Sequence, residues 1–132
     1  MADFFSGYDV RGLVPQELDQ GVAERMGKAF GALLRKTRSR SSPKPESARA
    51  GKPGSNVVFI ARDNRPHSSR LKEAFSQGVR SMGFDVLDLG VAPTPVIQYA
   101  LATNEAAGGC IVTASHNPPQ YNGFKMYSRR MP

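Results

Sequence analysis

The chain has a single cysteine among its 132 residues, which excludes an intramolecular disulfide, and Cys110 and the two histidines do not fall at zinc spacing. No apolar run approaches the roughly 20 residues of a membrane span. The opening MADFFSGYDV carries Asp3 and lacks the long apolar stretch of a signal peptide. These absences make a cytoplasmic protein without a membrane partner the expectation. Also missing are the G-x-S-x-G elbow, GxxxxGK[ST] and GxGxxG, and Ser115 does not open an S-x-x-K, so around that serine the familiar acyl-transfer and nucleotide-binding patterns fail on spacing. There is no D-x-D. Asp85 and Asp88 are three apart, so on a strand they point to opposite faces and cannot chelate together.

What remains is an ordinary globular composition, 39% hydrophobic and 22% charged, long enough for one domain with a core. The net charge of +7 is concentrated: residues 35–52 hold seven Lys and Arg against Glu46, leaving +1 for the rest. Residues 37–56, TRSRSSPKPESARAGKPGSN, have two alanines as their apolar side chains and cannot bury enough surface to offset their ordering entropy. They read as a disordered basic insertion, either a solvated loop or a weak contact for a polyanion or acidic partner.

Around that segment the periodicity alternates. Val22, Met26, Phe30 and Leu33 form a helical stripe, entered after Pro15 with Glu17 and Asp19 in the first turn. NVVFIA reads as a strand buried on both faces. Leu71, Phe75, Val79 and Met82 repeat the helical stripe, with Ser68 or Ser69 as N-cap and Gly83 as terminator. FDVLDLG is a second strand, and APTPVIQYALAT a helix with Thr94 as N-cap and Pro95 first. GGCIVTA is a third strand, within which Cys110 reads as a buried structural thiol, and GFKMYS a possible fourth. This order predicts an α/β domain with parallel strands, right-handed crossovers and helices covering the sheet. Ligands gather at the carboxyl ends of such strands, where RDNRPHSS and SHNPP fall; SGYDVRG reads as a third polar loop.

Ser115 follows a buried strand and precedes HNPP. Asn-Pro favours a turn and the prolines fix two successive φ angles, so the hydroxyl is held in a defined direction. His116 and Lys125 could supply proton transfer or positive charge. Composition leaves two readings open, a capping serine in an Asx-type turn and an activated nucleophile. His67 and His116, each alone, read more readily as surface or loop residues than as bases.

TASHNPPQYNGFKMY closely resembles the active-site segment of the α-D-phosphohexomutases, the phosphoglucomutase and phosphomannomutase family. GYDVRG resembles the family's N-terminal motif, VVFIARDNRPHSS its G-R-D-x-R strand and loop, and DVLDLGVAPTPV the next strand and helix start. The resemblance covers the chain except the basic insertion. It implies a three-layer α/β/α first domain with a mainly parallel, mixed sheet of about four strands, spanning residues 1–132. It further implies a phosphoserine at Ser115 that exchanges phosphate with a hexose phosphate, moving it between the 1- and 6-positions with a hexose 1,6-bisphosphate as intermediate and activator. By the same resemblance, Arg11, His116 and Lys125 join Ser115 in catalysis. Tyr8, Arg11 and Lys125 bind substrate, and Arg62, Asp63, Arg65 and Asn117 support them. Mg2+ would touch this domain only through the phosphate oxygen on Ser115.

Two departures matter. Ala61 stands where the motif has glycine, and the D-x-D-x-D magnesium loop of a later domain is absent. The resemblance therefore implies an isolated domain, inactive alone, whose partners are a hexose phosphate and the later domains of the same enzyme. Two other functions fit the residues: a non-catalytic module binding phosphosugars or anions through Arg11, Arg65 and Lys125, and an interaction protein using the basic loop. Nucleic acid is not the expected partner, since the charge sits on a loop and not a folded face.

Overall fold

The computed structural model describes residues 5–41 and 56–129. Five strands and three helices alternate along the chain: β1 (Phe5–Leu13), α1 (Gln20–Ser41), β2 (Val57–Arg62), α2 (Ser68–Ser81), β3 (Asp85–Val91), α3 (Thr94–Thr103), β4 (Gly108–Val112) and β5 (Tyr121–Arg129). The strands form one sheet in the order β1-β5-β4-β2-β3. β2 runs parallel to both β3 and β4, and β5 runs antiparallel to β4 and β1. Four of the five strands therefore point the same way, the mainly parallel mixed sheet that the sequence predicts with one strand more.

The extra strand is SGYDVRG, expected as a loop. Its residues alternate, with Val10 against the core and Asp9 and Arg11 on the opposite face, and nine residue pairs join it to β5. Two glycines hide this period-two pattern of a half-buried edge strand. Helix α1 also departs from expectation, since it continues through Thr37 to Ser41, into the segment read as disordered. Arg and Lys are good helix formers, and extending an existing helix is far easier than starting one. The rest of that insertion, 42–55, lies outside the described residues.

Helix starts shift slightly. Asp19 caps α1 from outside the first turn, its carboxylate accepting from the Val22 N–H at 2.8 Å, while Glu17 accepts from the Leu13 N–H at 2.8 Å. His67, not a serine, occupies the N-cap position of α2, without a side-chain capping bond. The Ser68 hydroxyl is drawn instead to a carboxylate described below. Pro93 occupies the cap position of α3, so Thr94 is the first helical residue and Pro95 follows it. Proline still loses nothing there, because first-turn N–H groups have no intrahelical acceptor. Gly83, at φ +93°, ends α2 as expected.

Helices α1 and α2 cover one face of the sheet, where Phe30, Phe75 and Phe124 pack in series with ring centroids 6.0 and 5.1 Å apart. Helix α3 covers part of the other face, resting Ile97 and Leu101 on Phe59, Ala61 and Ile111. Three layers result. Cys110 is fully buried, and burial alone pushes its thiol well above the usual range, as befits a structural residue.

The α1–α2 contact is closer than the two stripes suggest. A Cβ on Gly78 would stand 2.1 Å from the Glu24 carbonyl oxygen, and one on Gly27 2.1 Å from that of Phe75. Both obstacles are backbone, so neither can swing aside. In an exposed helix, glycine to alanine stabilises by about 1 kcal/mol. Here Gly78→Ala is expected to reverse that sign and cost about 2 kcal/mol, because the helices must separate. Urea denaturation reads the difference; a stabilised variant would show that the helices do not touch backbone to backbone.

Candidate active site

The carboxyl ends of β2 and β4 open beside the first turn of α3. A cavity of about 380 Å³ lies there, lined by Asp63, Thr94, Ile111, Thr113, Ser115, His116 and Lys125 among others. Ser115, His116 and Lys125, expected together, do share this space. Lys125 reaches it from β5, where its backbone pairs with Ile111. Among the described residues, neither the Lys125 ammonium nor the Ser115 hydroxyl has a hydrogen-bond or ion-pair partner.

Ser115 has φ +55°, a left-handed conformation that costs a non-glycine residue about 1–2 kcal/mol. Two bonds hold it there. Its N–H donates to Thr113 Oγ1 at 3.0 Å, and its carbonyl accepts from Arg65 Nη2 at 2.8 Å. Both use the backbone, which leaves the hydroxyl unengaged at the cavity.

Arg65 is the centre of the arrangement. Nη2 donates to the carbonyls of Ser115 and Asn117, and Nη1 to those of Pro118 and Tyr121, all within 3.2 Å. Its Nε pairs with Asp63 Oδ2 at 3.0 Å. Pro118 and Pro119 have no N–H, so the tip of this loop can be anchored chiefly by its carbonyls, and a planar five-donor side chain suits that need. Asp63 also accepts from Thr113 Oγ1 at 2.7 Å, Ser68 Oγ at 2.5 Å and the Arg65 N–H at 3.1 Å. Burial would raise its pKa, but the bonds from Ser68, Thr113 and Arg65 outweigh that and hold the carboxyl below its ordinary 3.8.

That lowering fixes a pH dependence. A carboxylate whose folded pKa is depressed contributes stability above its unfolded pKa and loses it as pH falls through the folded value. The wild-type chain is therefore expected to lose stability as pH drops below 3.8 toward Asp63's lower folded pKa. Asp88 adds to the loss: burial opposes its ionisation, but the Lys72 ammonium and the Gly90 N–H prevail and lower its pKa too. Denaturant unfolding between pH 7 and pH 2.5 should show a shallower acid loss for Asp63→Asn than for wild type. Equal slopes would remove Asp63 from the account.

The other expected residues divide. Arg11 on β1 forms a two-point pair with Asp9, at 3.0 and 3.1 Å, and donates to Asn117 Oδ1 at 3.1 Å, which brings both residues to the serine loop. Arg62 ends β2, donates to the Asp63 carbonyl and lies in the field of Asp88, away from the cavity lining. Tyr8 is not brought together with Arg11 and Lys125. It pairs with Met126, two residues from Val10 on β1, and so projects from the α1–α2 face, 45% exposed.

Four participants escaped the sequence reading. Thr113, Ser68, Asn122 and His67 are linked by hydrogen bonds to Asp63 or to the loop. Their signal was available only in outline, as polar residues flanking two strand ends. For magnesium the donor set falls short. Among the described residues no three His, Cys, Asp or Glu side chains gather, and the Asp63 oxygens are already committed. A six-oxygen ion would find too few ligands here.

The family model described as phosphoglucomutase/phosphomannomutase, alpha/beta/alpha domain I, matches residues 2–131. A phosphoglucomutase/phosphomannomutase of Thermococcus kodakarensis is 40% identical over 126 residues, which are 96% of this chain and 25% of that protein. A protein of Xanthomonas campestris described under phosphohexose mutases is 37% identical over 92% of this chain and 23% of its own length. A crystal structure from Thermus thermophilus, assigned to the phosphomannomutases, superposes with a TM-score of 0.72 at 30% identity, over 91% of this chain and 24% of that one. The chain thus spans about a quarter of the relatives it matches. It belongs to the phosphoglucomutase/phosphomannomutase family and carries that family's α/β/α domain I.

Proposed function

We propose that Ser115 is the phosphoryl-carrying residue of a phosphohexomutase whose first domain is this chain. The observation that supports it best is the backbone-only anchoring of Ser115. Arg65 and Thr113 take its carbonyl and N–H, and the hydroxyl is left unbonded at a cavity shared with His116 and Lys125. Phosphoryl transfer asks the protein mainly for position and charge. Lys125 supplies a cation, the first turn of α3 a partial positive charge, and His116 a hydrogen-bonding group beside the oxygen. The Asp63 carboxylate faces the same cavity, but its pairing with Arg65 blunts its repulsion of an anion.

In the reaction, the Oγ–P bond of phosphoserine breaks as a sugar hydroxyl oxygen bonds to phosphorus, and the hydroxyl's proton passes on balance to the freed Ser115 Oγ. The sugar bisphosphate so formed turns over, and its other phosphate returns to Ser115 Oγ. Phosphate has then moved between the 1- and 6-positions with no net consumption of the bisphosphate. Magnesium and sugar selection would fall to the remainder of the enzyme, with the Ser115 phosphate as this domain's contribution to the ion.

Incubation with glucose 1,6-bisphosphate followed by mass spectrometry tests the reading. The 132-residue chain alone is expected to take up little phosphate and show no mutase turnover; supplying the remaining domains should give both, with phosphate on Ser115. Phosphate on a different serine, with Ser115 unmodified, would overturn the assignment. Turnover by the isolated chain would overturn its incompleteness.

A further inference from the structure

His67 stands at the N-cap position of α2, two residues after Arg65. Its ring lies between a buried amide and the tip of the serine loop: Nδ1 is 2.9 Å from Asn122 Nδ2, and Nε2 is 3.2 Å from the Pro119 carbonyl. The proton positions follow from the amide. Asn122 is fully buried, and its Oδ1 accepts the Gly123 N–H at 2.8 Å, so the amide nitrogen must point the other way. One of its hydrogens goes to Ser68 Oγ at 2.8 Å, whose own proton goes to Asp63. The other meets His67 Nδ1, which must then be an acceptor. The ring is left with its proton on Nε2, aimed at Pro119.

The arrangement completes a clamp. Arg65 holds the carbonyls of residues 115, 117, 118 and 121, and the Val14 N–H takes that of Gln120. Pro119 is the proline carbonyl that Arg65 leaves, and as a proline it offers no N–H by which to be held. His67 takes it. Resting on the reading of Ser115 as the phosphoryl carrier, we infer that His67 is a positioning residue for that serine: Asn122 fixes its tautomer, and the fixed tautomer secures the loop tip that directs Ser115.

Two isosteres separate its two ends. Asparagine reproduces Nδ1, so His67→Asn keeps the Asn122 bond and releases Pro119. Glutamine reproduces Nε2, so His67→Gln keeps Pro119 and deprives Asn122. In the 132-residue chain, amide hydrogen exchange at Asn117 and Tyr121, normalised to Phe75, should quicken about tenfold in His67→Asn and stay near wild type in His67→Gln. Global stability should follow the opposite order, a crossed result that a merely structural histidine would not give. In the enzyme assembled with its remaining domains, titration with glucose 1-phosphate should show binding several-fold weaker in His67→Asn than in His67→Gln. Equal exchange in the two variants would overturn the clamp, and so would a 15N spectrum of the wild-type neutral ring with its proton on Nδ1, a measurement that needs no variant to fold. If the exchange split holds while the assembled wild-type enzyme ignores glucose 1-phosphate, the clamp stands and the phosphosugar reading falls.

Discussion

Replacing Ser115 with alanine is expected to abolish turnover of the assembled enzyme, by a factor on the order of 10⁴ or more, and to leave the fold unchanged. The size of the first effect follows from removing the oxygen that, in the proposed reaction, carries phosphate between the two half-reactions, for which no positioning of substrate compensates. The second expectation comes from the local geometry. Every bond holding Ser115 uses its N–H or its carbonyl, and alanine retains both. The methyl group must accept φ +55°, as the serine does, so stability should change by about 1 kcal/mol at most. Thermal unfolding and mutase assays on the same preparation separate the two effects. A Ser115→Ala enzyme with more than a few per cent of wild-type activity would show that phosphate travels by another route. Gross unfolding would show that the hydroxyl has a structural partner.

Arg65→Ala is expected to destabilise the chain by about 3–5 kcal/mol, the range for removing one partner of a largely buried pair. The side chains of Arg65 and Asp63 are 13% and 23% exposed, so solvent screens the pair only in part. The loss has two sources. Asp63 would keep its bonds from Ser68 and Thr113 but lose the opposite charge that balances it. Four loop carbonyls would also lose a donor, that of Pro118 keeping the Tyr121 N–H, and the left-handed Ser115 would lose one of its two restraints. Arg65→Lys should recover less than half of the stability, since an ammonium cannot reach both sides of the loop and the carboxylate together. Denaturant unfolding of the three proteins measures this. A lysine variant as stable as wild type would mean that charge alone matters and the planar fork does not.

The residues announced the layers of this protein and left its contacts unstated. Met26 and Phe30 on one helix, and Leu71, Phe75 and Val79 on another, recur at helical spacing, and β2 is apolar from Val57 to Ala61; such periods need only the local geometry of helix and strand, so the buried faces were legible. The TASHNPP stretch likewise placed Ser115 after a buried strand and in a stiffened turn, because proline restricts its own backbone wherever it sits. A glycine carries no such local message. Gly27 and Gly78 mark a backbone-to-backbone helix contact, but which glycine meets which carbonyl depends on two helices 51 positions apart at their point of contact. Sheet pairing decides β1 in the same way: its hydrogen-bond partners lie more than a hundred residues along the chain, and pairing with β5 turns Tyr8 away from Arg11 and Lys125. The roles of Arg65, Asn122 and His67 belong to this second kind. The composition shows that these donors exist; only folding brings the ends of β2 and β4 together, and only there do proline carbonyls, which have no N–H beside them to share, find the side chains that hold them.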